Sequence, residues 1–441
     1  MQTATDVTSA RDQQPSGFAE WTVDPLSPGA LGTLRLALRT ITEGLAGELA
    51  HPTDAAPEWS PVEWAVARAV AAIHGVSPLL AETLRWPGPA PWMTFLAEQR
   101  SRTAARFGRI LELLNQLGSD ARRAGIALVP LKGAALHALG IYRPGARPMA
   151  DVDVLVQPDQ SDSAAKLLAA CGFLETHQNW KHRVFARSGD AAPEALGEGA
   201  HNGIKIELHC RIAEALPRRV VDVSAVIFSR RLQPGLNPYP SRTALLMHLL
   251  LHAAGSMAIR QLRLLQLHDI ARLASQMSDE DWDDLFGDAA GTVEGSLWWG
   301  YPPLALATRY YQCVPQRILA RAMRGCHWVL RRTYLRRTLT DTSLSNPSIS
   351  AFPGIEFARS AGELLGCVAA RLVPNADTLR MRNELARIQP LISGGTWAHL
   401  SQRRRILRWL MSRQTRHETL APVRAALCRA GYPPTTPASP V

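Results

Sequence analysis

The chain has 441 residues, 46% of them hydrophobic, enough to bury a sizeable core and to form two or three domains. Its 49 Lys and Arg against 38 Asp and Glu give a formal charge of +11, which favours polyanionic partners without choosing among nucleotides, RNA and anionic surfaces. The six cysteines are scattered, with no CxxC pair and no zinc-like Cys/His spacing, which excludes a disulfide framework and a structural zinc site and fits a reducing cytoplasm.

Residues 1–28 are polar and aperiodic and read as a mobile tail without the apolar stretch of a signal peptide. Apolar residues then recur at helical spacing from Leu31 to Leu49 and from Pro61 to His74, the second helix with Ser60 as N-cap. Trp92 to Ala124 reads as one long helix or two, ending near Gly125. The region 29–119 is therefore expected to be helical.

The pattern changes between residues 120 and 235. Ile126–Pro130 is a short apolar run, Gly133–Leu139 a short helix, and Asp151–Val156 alternates with period two, as in a strand. Ser161–Ala170 is helical. Further strands are expected to start at Gly172 and to cover Trp180–Arg187 and Gly203–Cys210, with a loop from Ser188 to His201 before the last. Residues 236–337 are helical again, through Arg242–Ala254, Gln261–Ser275, Asp279–Ala290 and Leu304–Gln312. Residues 338–355 read as a polar linker. A basic helical region, 356–431, contains Glu356–Leu372, Asp377–Ile388 and Ser401–Met411, and a Pro-rich tail, 432–441, closes the chain. The fold class is α+β, a small mixed sheet embedded in predominantly helical N- and C-terminal regions. No run of about 18 uninterrupted apolar residues predicts a transmembrane span, and a cytoplasmic location is expected.

Successive side chains of a strand point to opposite faces, so Asp151 and Asp153 share one face while Val152, Val154 and Val156 enter the core. Two carboxylates about 6–7 Å apart along a strand suit Mg²⁺ or Mn²⁺, which take oxygen ligands and keep positions open for water or phosphate. Glu207 repeats the alternation in Ile206-Glu207-Leu208 and would complete a two-metal clamp from an adjacent strand. Asp151, Asp153 and Glu207 are the catalytic and metal-binding candidates. Lys132-Gly133 precedes a short helix, and such a turn lets backbone approach phosphate. With Ala134, Arg147 and His209 these residues form the nucleotide-binding candidates, and Arg143 is a further cation. His248 and His252 face one way on a helix; helix packing is one reading and contact with a bound molecule the other. Asp269 reads either as a substrate contact or as the partner of an arginine.

These motifs resemble a family of uncharacterised bacterial nucleotidyltransferase-like proteins within the DNA polymerase β-like superfamily. The resemblance rests on Leu131-Lys132-Gly133, Arg147, Asp151-Val152-Asp153-Val154-Leu155-Val156, Gly172-Phe173 and Glu207-Leu208-His209, and continues through His248, His252 and Leu267-His268-Asp269-Ile270. It implies metal-dependent transfer of a nucleoside monophosphate from an NTP, ATP among them, to an unknown hydroxyl or phosphate acceptor (protein, peptide, tRNA or small metabolite), with release of pyrophosphate. The wider superfamily has Gly-Gly or Gly-Ser in the turn. Here Ala134 and Ala135 follow Gly133, which removes the hydroxyl and leaves Lys132 as the expected substitute. The alternative is a non-catalytic RNA- or protein-binding module on the same fold, and the basic runs Arg331-Arg332, Arg336-Arg337 and Arg403-Arg404-Arg405 offer polyanion contacts.

Overall fold

In the computed structural model, which describes residues 28–189, 196–292, 295–348, 350–376, 378–379, 401–411 and 415–429, four helices precede the first strand. They are α1 (Pro28–Ala50), α2 (Pro61–Ile73), α3 (Ser77–Thr83) and α4 (Ala90–Arg123). The start of α2 is set by a reciprocal cap: Glu63 N–H donates to Ser60 Oγ, and Ser60 N–H donates to the Glu63 carboxylate. The Trp92–Ala124 stretch is one helix, α4, and Gly125 ends it in the left-handed region at φ +71°.

The α/β portion follows as β1 (Ala127–Pro130), α5 (Lys132–Ala138), β2 (Asp151–Val156), α6 (Ser161–Ala170), β3 (Leu174–Gln178), β4 (His182–Ala186) and β5 (Lys205–His209). A hairpin, β6 (Ala213–Leu216) and β7 (Arg219–Asp222), precedes α7 (Ser224–Ile227) and a short edge strand, β8 (Gly235–Leu236). Six strands form one mixed sheet in the order β3-β4-β5-β2-β1-β8. β2 runs parallel to β5, β1 antiparallel to β2 and β4 antiparallel to β5. The third strand starts at Leu174, two residues later than expected, and the fourth, His182–Ala186, is shorter than the expected Trp180–Arg187. Neither the β6–β7 hairpin nor β8 is anticipated, because four- and two-residue strands carry too little periodicity to stand out.

One face of the central strands is apolar. Val152, Val154, Val156, Ile206, Leu208 and Phe185 are buried there against α4 and α6. Each such side chain contributes roughly 1.5–3 kcal/mol by leaving water. On the other face Val129 and Leu155 pack into the main core, which joins α1, α2, α5 and the helices downstream of the sheet. Those helices are α8 (Arg242–Ala258), α9 (Leu264–Ala274), α10 (Asp279–Ala290), α11 (Tyr301–Tyr311), α12 (Gln316–Gly325), α13 (Trp328–Arg336), α14 (Leu339–Thr342), α15 (Ala361–Leu372), α16 (Gln402–Met411) and α17 (His417–Arg429). No single described helix is long and apolar enough to cross a membrane.

The segment that reads as a polar linker is packed inside. Thr340, Thr342, Ser343 and Ser345 are buried, and their polar groups find internal partners. Thr340 donates to Glu43 Oε1 from both N–H (3.1 Å) and Oγ1 (2.6 Å), and Ser345 Oγ lies 3.2 Å from His74 Nε2. Burial, followed by the charge of Arg263, pushes the His74 pKa down to about 3, so Nδ1 is free to accept the Leu264 N–H at 2.9 Å. Of the expected Asp377–Ile388 helix, residues 377 and 380–388 lie outside the described residues, as do 1–27 of the N-terminal tail and all of 432–441.

Candidate active site

Parallel pairing puts Asp153 opposite Glu207 and Asp151 opposite Lys205. Side chains directly opposite each other share a face, so the three carboxylates of two neighbouring strands open on the same side of the sheet. There they line a cavity of roughly 370 Å³ between the sheet and the α8–α9 pair, together with Lys132, Gly133, Arg147 and His209.

Lys132 reaches the cluster through an unusual backbone. Leu131 N–H donates to Asp153 O at 2.9 Å, holding the end of β1 beside the acidic strand. The next residue, Lys132, is left-handed at φ +46°, a conformation that costs a non-glycine residue about 1–2 kcal/mol. The turn brings Lys132 Nζ back to Asp153 Oδ1 at 2.6 Å. His209 Nε2 lies 2.9 Å from the same oxygen and 3.5 Å from Glu207 Oε2. Burial alone would raise the Asp153 pKa, but Lys132 and His209 carry it well below the ordinary carboxylate value. Asp151 behaves oppositely: burial and then the negative charges of Asp153 and Glu207 push it up to about 6. Burial opposes ionisation of Glu207 as well, and the His209 hydrogen bond leads the interactions that bring it below its ordinary value. Lys132 is held above the usual lysine value because Asp153, Asp151 and Glu207 outweigh its burial.

This carboxylate set fits divalent metal. Three acidic groups share one cavity, and after burial it is the charge of Asp153 and Glu207 that lifts Asp151. A second donor set, His182, Glu207 and His209, has ligand atoms within 4.8 Å of one another. Asn179 argues against it. Asn179 Oδ1 accepts the backbone N–H groups of Lys181 (2.8 Å) and His182 (3.1 Å), leaving Nδ2 to donate to His182 Nε2 at 3.0 Å. His182 Nε2 is thereby the acceptor, and Nδ1, 3.4 Å from Glu207 Oε2, carries the proton where a metal needs a lone pair.

Two buried arginines hold the acidic strands. Arg147 forms a fork with Asp269 of α9, Nε to Oδ1 at 2.7 Å and Nη2 to Oδ2 at 2.6 Å, and Tyr142 Oη donates to Oδ1 at 2.8 Å. Burial opposes the Arg147 charge and Asp269 more than restores it. Asp269 is thus an arginine's partner, and Arg147 anchors the loop before β2. Arg106 of α4 donates to the carbonyls of Met149 (2.8 Å), Ala150 (2.7 Å), Asn202 (3.0 Å) and Gly203 (3.0 Å), clamping the backbone that leads into β2 and β5 together. Sequence reasoning missed Arg106. Its signal was an arginine on the apolar stripe of α4, between Thr103 and Ile110.

The turn residues are placed differently from expectation. A Cβ on Gly133 would lie 2.2 Å from Arg147 Nη1 and 2.8 Å from Met149 Cγ, so the missing side chain makes room for protein. Ala134 is buried in the apolar core under the turn and does not line the cavity. Arg143 also lies outside the lining. The far wall carries Glu214 of β6, which is paired with Lys181 and 3.5 Å from His252 Nδ1. Gly255 of α8 lets Glu214 sit there; a Cβ would be 2.5 Å from its Oε2. His248 is buried with Nδ1 2.5 Å from Tyr239 Oη, and burial holds it well below the usual histidine value. Both α8 histidines therefore pack against protein groups and border the cavity.

A mixed sheet with three carboxylates on adjacent strands, facing a cavity closed by helices, is the arrangement expected of a nucleotidyltransferase. The chain belongs to the family described as uncharacterised nucleotidyltransferase, whose model matches residues 60–292, more than half of its length. The match runs from the start of α2 to just beyond α10, so the α4 clamp and the α8–α9 wall lie within the family unit. No curated protein and no solved structure matches the chain.

Proposed function

We propose that the protein transfers a nucleoside monophosphate from a nucleoside triphosphate to a hydroxyl or phosphate acceptor, with Asp151, Asp153 and Glu207 holding Mg²⁺ or Mn²⁺. The observation that carries this reading is the cross-strand pairing of Asp153 with Glu207, with Asp151 on the same face of one cavity. Bound divalent metal would supply charge stabilisation to the attacking oxygen and the polyphosphate. The acceptor oxygen forms a bond to the α-phosphorus, the bond to the bridging oxygen of the leaving pyrophosphate breaks, and the acceptor hydroxyl's proton passes to a carboxylate of the cluster.

The protein's own contribution is positioning. Lys132 and His209 fix one oxygen of Asp153, while Arg106 and Arg147 hold the backbone on which the carboxylates ride.

The filled space at Gly133 favours one other reading, a non-catalytic RNA- or protein-binding module on the same fold. Incubation with each α-³²P-labelled NTP, Mg²⁺ or Mn²⁺ and total RNA or lysate as acceptor separates the two. Label transferred by the parent and not by an Asp151→Ala/Asp153→Ala variant supports transfer. Bound label without pyrophosphate release supports the binding module, and absence of both binding and transfer overturns the proposed activity.

A further inference from the structure

The cavity's cations divide into committed and uncommitted groups. Lys132 is paired with Asp153, Arg147 with Asp269 and Lys181 with Glu214. Arg211 and Arg263 also line the cavity, and among the described residues neither guanidinium is paired with a carboxylate. Both are solvent-exposed, and Asp151 attracts Arg263 across the space between them. Arg211 lies two residues beyond His209, just past the end of β5, and Arg263 is the residue before α9.

Several backbone donors at the two helix starts near the cavity are already in use. At α5, Ala134 and Ala135 N–H both donate to Leu131 O, and the space over Gly133 is filled by Arg147 and Met149. At α9, Leu264 N–H donates to His74 Nδ1 and Leu265 N–H to His74 O. An anion entering this cavity therefore meets two guanidinium forks that no described carboxylate holds, while Arg147 and Met149 crowd the turn at Gly133. Guanidinium forks match the paired oxygens of phosphate groups. Gln261, Ser256 and Gln266 line the same wall and add neutral donors.

We propose that Arg211 and Arg263 bind the polyphosphate of the incoming nucleotide, which lies between the end of β5 and the start of α9 and not over the Lys132–Gly133 turn. This rests on the nucleotidyl-transfer reading and assigns the triphosphate its place within it. The test titrates the full-length protein with inorganic tripolyphosphate and with α,β-methylene-ATP in the presence of Mn²⁺. Mn²⁺ binding is followed separately by electron paramagnetic resonance. Arg211→Gln and Arg263→Gln are each expected to weaken both ligands about tenfold, the double variant more, at unchanged Mn²⁺ binding. Arg143→Gln, outside the cavity lining, is expected to bind like the parent. A parent that binds both ligands and a double variant that binds them equally well would overturn this assignment and leave the proposed activity standing. A parent that binds Mn²⁺ and neither ligand would overturn both.

Discussion

The two faces of the β2–β5 pair are made from the same few residues and do opposite things. Val152, Val154, Ile206 and Leu208 are buried in apolar packing against α4 and α6. Asp151, Asp153, Glu207 and His209, their immediate neighbours in sequence, line the cavity. Burying carboxylates is costly unless charge and hydrogen bonds compensate, and here the compensation is partial: Lys132 and His209 converge on Asp153, while Asp151 stays raised by its acidic neighbours. The difference teaches how the fold keeps an unbalanced charge cluster in place. The apolar face supplies the free energy and fixes the strand register, and the register fixes which carboxylates meet.

Four single substitutions, one of them extended by a second change, test that division in falling order of effect. Asp153→Asn removes the carboxylate on which Lys132 and His209 converge, and transfer is expected to fall on the order of a thousandfold, measured in single turnover; near-parental rates would break the account. Arg147→Met leaves Asp269 buried without its partner and is expected to cost about 3–5 kcal/mol in urea unfolding. Adding Asp269→Leu should recover part of that loss, and strict additivity would show that the pair does not act as a unit. Gly133→Ala drives a methyl into the locked guanidinium and is expected to cost about 3 kcal/mol by the same measurement; a neutral result would mean that Arg147 yields easily. Val154→Ala, on the apolar face, is expected to cost about 2 kcal/mol while leaving Mn²⁺ affinity at the parental value. A large loss of metal binding there would erase the distinction between the faces.

The acidic face was legible because period-two alternation in Asp151–Val156 and Lys205–His209 is a local property. Helix starts such as Ser60–Glu63 were legible for the same reason, since a cap is complete within four residues. What the sequence hid was long-range. The Arg147–Asp269 pair joins positions 122 residues apart, and the Arg106 clamp reaches backbone carbonyls, which carry no residue signature. The burial of Thr340 to Ser345 was hidden too, because hydroxyl-rich stretches resemble solvated linkers until Glu43 and His74 supply partners. The two cavity arginines lay next to recognised motifs, Arg211 after Glu207-Leu208-His209 and Arg263 before α9, yet only the fold sets both on the lining of the carboxylate cavity.

The most direct measurement is an anomalous difference map from crystals grown with Mn²⁺ and α,β-methylene-ATP. Manganese peaks among Asp151, Asp153 and Glu207, with the polyphosphate running toward Arg211 and Arg263, are the expected result. Manganese bound elsewhere, or held by His182 and His209 with the carboxylates uninvolved, would contradict the assignment of this face of the sheet as a metal-dependent nucleotidyl-transfer site.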